Sequence, residues 1–385
     1  MEFKVGEAFS PEYFELERKH VWRQSWLLIG RIEDIPEPGD YFVKDIEVCK
    51  TSVLVTRGDD RQIRAFHNVC KHRSNKLVWK KETGQASRFF CSFHGWTFDL
   101  HGRLTVVPRE ELFRDFDKND SPLTSIAIDR WEGFIFINLN PQPQETLRQF
   151  LGDIYDGYQG VFNGSKTNIT YTVNLKTNWK ASNDAFCENY HFFMVHRDTV
   201  GGVLISDENP YGDLKSIRLF EKHRAASATV NKSHKPKPVE ALAYRYGPHF
   251  ATPDDHQRSS QSGVNPDNLP DWGADLLFLY PAIGIFIFSD WFQVIAQWPV
   301  AHDQTRWELT TFARPPRTAS EAFGQERNNM LLRELNREDL NNLEFIQSVL
   351  ESGALRTFPL SEQESLVCHG EQVIANAVAM GENRL

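Results

Sequence analysis

Apolar and polar positions change period several times along the chain. Phe9, Tyr13, Phe14, Val21, Trp22 and Trp26 recur at helical spacing, and Ser10-Pro11 suits a cap followed by a first helical residue. This predicts a helix over 9–26, lying on the body of the protein. Pro36-Glu37-Pro38-Gly39 is a turn, and after it the period drops to two. Tyr41–Val43, Ser52–Thr56 and Ile63–His67 read as short strands divided by polar turns such as Gly58-Asp59-Asp60. Trp131–Leu139 reads as one buried strand, and Asn140-Pro141-Gln142-Pro143 as a linker.

Beyond the linker, residues 145–164 look helical and Ile169–Leu175 alternates as a strand leading into a further helix from Asn178. Residues 223–273 are rich in Ser, Asn, Asp, Pro and Gly and weak in period, which predicts a long loop or lid, or else a surface insertion. Leu277–Phe288, Phe292–Val300 and Trp307–Phe312 form a run of strands. Residues 320–352 form a long helical segment that is expected to break near Asn336–Glu338. The pattern is α+β. It divides into an N-terminal helix at 1–35, a small all-β domain at 36–142 and a larger helix-and-antiparallel-sheet domain at 143–385.

Composition narrows the class without naming a chemistry. With 385 residues, 40% of them apolar and 25% charged, the chain is an ordinary globular protein with room for a large core. A net charge of −9 gives no electrostatic case for nucleic acid. Met1-Glu2-Phe3-Lys4 lacks the pattern of a signal peptide. The most apolar run, Leu276–Phe288, is broken by Pro281 and Gly284 and is too short for a membrane span. The five cysteines form no disulfide framework, which points to a reducing, cytoplasmic setting with no membrane.

The chemistry gathers in two stretches. Cys70-Lys71-His72 is followed after eighteen residues by Cys91-Ser92-Phe93-His94. Two thiolates and two imidazoles first suggest zinc, where the usual order is Cys-Cys then His-His. Here each half supplies one Cys and one His. That alternation suits a Rieske two-iron, two-sulfur cluster, with Cys70 and Cys91 on one iron and His72 and His94 on the other. With their flanks, Asn68–Arg73 and Cys91–Phe98, these segments resemble the Rieske loops of ring-hydroxylating oxygenases. The long spacer and Ser74, where Gly or Ala is common, are departures in loop positions. Respiratory Rieske carriers have two further cysteines, where this chain has Asn75 and Phe93.

The second stretch runs from Asn178-Trp179-Lys180 through Asp184, Glu188, Tyr190 and His191 to His196, and it resembles the mononuclear-iron helix of the same oxygenases. Asp184, Glu188 and His191 are spaced to share one helical stripe, and the helix should loosen before His196. Two imidazoles need a carboxylate to make the 2-His-1-carboxylate triad of non-haem iron(II) enzymes. Asp339 is the candidate, with Glu338 as its rival. The resemblance implies that Glu188 bridges His191 to His94 of a neighbouring subunit. It also sets Asp184 near the iron, where Asn is common.

The resemblance covers nearly the whole chain and is weakest over 223–273. It implies the Rieske domain plus helix-grip catalytic fold of the oxygenase α subunits. It further implies a homotrimer, with or without β subunits, that hydroxylates a small hydrophobic or aromatic substrate with O2. A quaternary amine or a methoxy compound is the alternative substrate, since aromatic side chains can cage a trimethylammonium group. No Gly-rich dinucleotide fingerprint follows a strand, so NAD(P)H should act only through a separate flavin reductase or ferredoxin. Lys71, Arg73, Lys76, Lys80, Lys81 and Arg88, against the single acid Glu82, make a local basic patch for an acidic electron carrier. Phe192, Phe193, Met194, Leu204, Ile205, Phe286, Phe288, Trp291 and Phe292 are divided between an apolar pocket and the core.

Overall fold

A computed structural model describes residues 2–4, 7–247, 261–350 and 352–382. The chain folds as two units, residues 22–150 and residues 1–21 with 151–385. The division falls inside the predicted 1–35 segment, because Trp26–Arg31 is a strand that pairs with Phe134–Asn138 in the first unit.

That first unit is built on a seven-stranded antiparallel sheet. Its strands are β1 (Trp26–Arg31), β2 (Asp40–Ile46), β3 (Thr51–Arg57), β4 (Ile63–His67) and β5 (Thr83–Gln85), with β9 (Ser125–Trp131) and β10 (Phe134–Asn138). A smaller three-stranded sheet holds β6 (Arg88–Phe90), β7 (Thr97–Asp99) and β8 (Leu104–Val106). The predicted buried strand over Trp131–Leu139 is present as β10, buried throughout, but it starts at Phe134, because Trp131 ends β9 and a turn intervenes. Glu132 and Gly133 take φ of 50° and 82° and reverse the chain between β9 and β10.

The second unit carries another seven-stranded antiparallel sheet, in spatial order β11-β17-β16-β15-β14-β13-β12. These are β11 (Lys166–Leu175), β12 (Lys215–Leu219), β13 (Arg224–Thr229), β14 (Trp272–Leu279), β15 (Ile283–Ile287), β16 (Trp291–Ala301) and β17 (Gln304–Ala313). The 223–273 segment is therefore not one loop. Arg224–Thr229 is an inner strand, buried throughout, whose small Ala, Ser and Thr side chains hide its period. Pro238–Tyr246 is a helix opened by Pro238 and boxed by Glu240. The predicted lid's residues 248–260 lie outside the described residues.

The helices differ from expectation in length. The N-terminal α1 covers Pro11–Glu17, capped by Ser10, whose hydroxyl accepts from Tyr13 N at 3.1 Å. It runs on as a π-helix over Arg18–Trp22 before the chain enters strand β1 at Trp26, the end of the predicted 9–26 segment. The second, α2, covers Trp179–Asp184 and stops before the predicted ligands. Two one-turn helices follow, α3 (Phe192–Val195) and α4 (Gly201–Leu204). The long helix α5 runs unbroken over Ala319–Leu350. No break is needed to bring Asp339 inward. Asn328, Leu332, Asn336, Asp339, Leu343 and Gln347 recur every three or four residues and form one buried stripe. Leu343 on that stripe packs with Leu175, Ile295, Trp307 and Leu309 of the sheet. The C-terminal helix α6 covers Ser365–Glu382. Among the described residues no helix is long and apolar enough to cross a membrane.

A buried ion pair ties α1 to α2. Lys180 Nζ donates to Glu17 Oε1 at 2.5 Å and to Ala8 O at 2.6 Å, and Trp179 Nε1 donates to Glu17 Oε2 at 2.8 Å. Burial outweighs the nearby Lys180 and holds the Glu17 carboxyl above its ordinary value. Removing one partner leaves a buried charge uncompensated. Lys180→Met should therefore destabilise the fold by about 3–5 kcal/mol in urea unfolding, and adding Glu17→Leu should restore most of that loss.

Candidate metal centres and substrate pocket

In the first unit, the two predicted cluster loops are near copies of each other. Ser74 N donates to Cys70 O at 3.1 Å and Cys70 N to Asn75 O at 2.8 Å. Gly95 N donates to Cys91 O at 2.8 Å and Cys91 N to Trp96 O at 2.7 Å. Each turn closes on a residue with positive φ, Ser74 at 56° and Gly95 at 73°. Ser74 thus stands in the left-handed conformation that favours glycine at this position. Cys70 and Cys91 are buried, and His72 Nδ1 meets His94 Nδ1 at 3.1 Å. Trp96 stacks on His72, with centroids 4.9 Å apart.

Backbone N–H groups of His72 and Arg73 face Cys70, and those of Phe93 and His94 face Cys91. Burial pushes the Cys70 thiol up to about 11. At Cys91 burial is outweighed by those amide donors, and the thiol lies below its ordinary value. Among the described residues, the donor sets that converge within 4.8 Å are His191/His196/Asp339 and Asp59/Asp60/His101. The Cys2His2 set is not one of them. Its donors come as a sulfur pair and a nitrogen pair, spread wider than one zinc needs, which fits a group with two metal atoms.

In the second unit, the chain between α2 and α4 turns repeatedly instead of running as one helix. Asp184, Glu188 and His191 therefore do not share a helical stripe. Glu188 reaches His191 within a turn: its Oε2 accepts from His191 N at 3.2 Å, and its Oε1 sits 2.5 Å from His191 Nδ1. His196 Nδ1 lies 2.9 Å from Glu338 Oε2, which also accepts from Thr199 Oγ1 at 2.8 Å. With a carboxylate on each Nδ1, both imidazoles present Nε2 to one point. The two Nε2 atoms are 3.2 Å apart, and Asp339 Oδ1 lies 2.9 Å from that of His196 and 3.5 Å from that of His191.

His191, His196 and Asp339 are close enough together to hold one metal ion, which would supply a site for O2 chemistry on the side they leave open. Burial alone would lower the His196 pKa, but Asp339 and Glu338 outweigh it and hold the imidazole above its ordinary value. A metal must displace that proton, so its affinity falls in acid.

Glu338, the rival for the third ligand position, thus sits on the far edge of the ring that Asp339 faces. Thr199 was not foreseen, because a hydroxyl supporting a carboxylate leaves no spacing signal. Asp184 is not brought to the donors or the pocket. Its carboxyl engages Glu371 of α6, beside Arg224, whose Nη2 lies 3.1 Å from the buried Cys187 Sγ.

A pocket opens over the three donors, lined by Phe186, Phe192, Leu204, Phe286, Phe288 and Leu332 among others. Four of the aromatic and aliphatic residues considered in sequence line it: Phe192, Leu204, Phe286 and Phe288. Met194 is exposed, and Trp291 and Phe292 are core. The basic patch in the first unit is partly engaged, since Lys76 pairs with Asp45 at 2.7 Å. Arg73 lies over Phe93 and Lys80 over Trp79, both aromatics more than half exposed.

Comparison with known proteins identifies the class. The catalytic domain of ring-hydroxylating α subunits matches residues 163–380, and the Rieske [2Fe-2S] domain matches residues 25–117. The chain belongs to the ring-hydroxylating α-subunit family and carries a Rieske domain. The family's cofactors, a Rieske cluster and a mononuclear iron, are this chain's also. The glycine betaine monooxygenase oxygenase subunit of Chromohalobacter salexigens is 29% identical over 200 residues, 51% of this chain and 44% of that one. The 2-aminobenzenesulfonate 2,3-dioxygenase α subunit of Alcaligenes sp is 29% identical over 299 residues, 76% of this chain and 70% of that one. The chain thus spans less than half the length of the betaine relative. A solved quaternary ammonium Rieske monooxygenase shares the fold, with TM-score 0.78 and 19% identity over 98% of this chain and 95% of that one.

Two predictions follow from the geometry. Asp339→Ala should abolish mononuclear iron in anaerobic metal analysis while leaving the cluster absorption intact. Glu338→Ala should weaken that iron by about 10- to 100-fold without removing a ligand. The second concerns Asp184, whose carboxyl burial pushes up to about 6 despite the nearby Arg224. The folded chain then holds a proton that the unfolded chain releases near pH 4. This contribution is fully present below about pH 4 and is lost as pH rises through about 6. The melting temperature of Asp184→Asn relative to wild type should therefore rise across that window, and a flat difference would remove the buried proton.

Proposed function

We propose that the chain is the oxygen-activating subunit of a Rieske oxygenase that hydroxylates a small, largely apolar molecule with O2 and electrons from a separate ferredoxin or flavin reductase. The observation that carries this is the face of two imidazoles and one carboxylate opening on an apolar pocket. When bound, the iron supplies the site where O2 is reduced, and the cluster supplies stored electrons. His191, His196 and Asp339 are read as the iron ligands, and Cys70, His72, Cys91 and His94 as the cluster ligands. Glu188 and Glu338 hold the Nδ1 protons of the two iron-facing imidazoles and fix their tautomers. The phenylalanines of the pocket keep bulk water from the donors.

The resemblance also supports a head-to-tail trimer in which Glu188 links to His94 of a neighbouring copy. The exposed Arg73, Lys80, Lys81 and Arg88 suit an acidic electron carrier. A second reading, oxidation of a quaternary amine, draws on the names of several relatives and on Phe186, Phe192, Phe286 and Phe288, whose rings can face a trimethylammonium group.

With a surrogate reductase and labelled O2, a panel of arenes, aryl ethers and quaternary amines should yield a product carrying label. Incorporation only into the amines would select the second reading, and none into any would sink both. In the same assay Glu188→Gln should keep both metals yet slow turnover about 10- to 100-fold.

A further inference from the structure

Gln293 is the pocket side chain whose whole amide, donors and acceptor together, makes no hydrogen bond among the described residues. Gln293 lies on β16, opposite Phe286 of β15 and Thr311 of β17. It is 3% exposed, and it lines the same pocket as His191, His196 and Asp339. Of the pocket's other polar side chains, only Asn189 keeps a buried unpartnered atom, its Oδ1, and each of the others makes at least one contact. Asn189 Nδ2 donates to Gly212 O at 3.1 Å, Asn336 Nδ2 donates to Leu332 O at 2.7 Å, and Glu188 and Asp339 meet the imidazoles. The Gln293 amide atoms are not among the fully enclosed unpartnered ones, so they remain reachable from the pocket, where a ligand can meet them. Trp291 and Ile295, on the same face of the strand, are apolar and buried, which shows that an apolar residue suits this face.

A primary amide carries two donors and an acceptor, and no charge. We infer that Gln293 is a specificity-determining residue, which hydrogen-bonds a neutral polar substituent (a carbonyl, hydroxyl or amide) of an otherwise apolar substrate and so fixes which carbon lies over the donor triad. The inference rests on the oxygenase reading and deepens it. A trimethylammonium group offers this amide neither donor nor acceptor, so on a quaternary amine Gln293 could meet only another group of the molecule, such as a carboxylate or hydroxyl.

The test measures binding, separately from turnover. Metal-loaded protein is titrated calorimetrically with two shape-matched pairs, acetophenone against α-methylstyrene and 1-naphthol against 1-methylnaphthalene. Wild type should bind the oxygen-bearing member of at least one pair about ten-fold more tightly, the value of one hydrogen bond. In Gln293→Leu and in Gln293→Met the ratio should fall to about one, with the melting temperature and Rieske absorption showing that each variant is folded and loaded. Equal binding within both pairs by wild type, or a preference that both folded variants keep, overturns the assignment. A protein that keeps the preference but never incorporates labelled oxygen defeats the oxygenase reading alone. One that incorporates it while binding both members equally defeats only the role of Gln293.

Discussion

Two imidazoles can face one point only if something holds their other edges. In this chain that constraint is met by carboxylates on Nδ1, Glu188 for His191 and Glu338 for His196. The second pairing is the more demanding. Glu338 and Asp339 are consecutive residues of α5, roughly 100° apart around the helix, and they take opposite edges of the same ring, one at Nδ1 and one at Nε2. The phase of α5 is thereby set against His196. That phase is fixed in turn by the buried stripe from Asn328 to Gln347, which packs Leu343 on the sheet. Sheet, helix and donor triad are one mechanical unit.

The cluster loops answer a different problem with less machinery. Each is a tight turn closed by its own backbone hydrogen bonds and a positive-φ residue, with amide groups turned toward the sulfur. The surrounding core of Trp96, Phe98 and Leu104 sets the separation of the two turns. Local geometry thus does for the first unit what long-range packing does for the second.

That difference decides what could be read from sequence. The candidate cluster residues lie within two short windows, so their spacing and flanking residues together made them legible. The iron-facing histidines were found in the same way, although the helix invoked to place them ends at Asp184, and Glu188 reaches His191 through a turn. Sequence makes Asp339 the candidate and Glu338 its rival; both touch His196, and the edge each takes appears only in three dimensions. Arg224–Thr229 escaped notice because small side chains give no hydrophobic period. Gln293 escaped because, within an apolar strand, one amide reads as an interruption, and its lack of a partner appears only in three dimensions. Asp184 shows the opposite error, a residue with suggestive spacing that folding turns toward Glu371.

The donor face also bears on how the protein acquires its metal. Two imidazole nitrogens and one carboxylate oxygen form a set that divalent ions of the later first transition row hold more firmly than they hold ferrous iron. Nothing in three such donors rejects cobalt, nickel, copper or zinc by charge or by size. The identity of the occupant is therefore governed by which ion is available while the chain folds and by how slowly a buried occupant leaves. Protein produced in zinc-rich medium would fold normally and remain inert, and its competence would depend on the ferrous supply during synthesis more than on purity or stability.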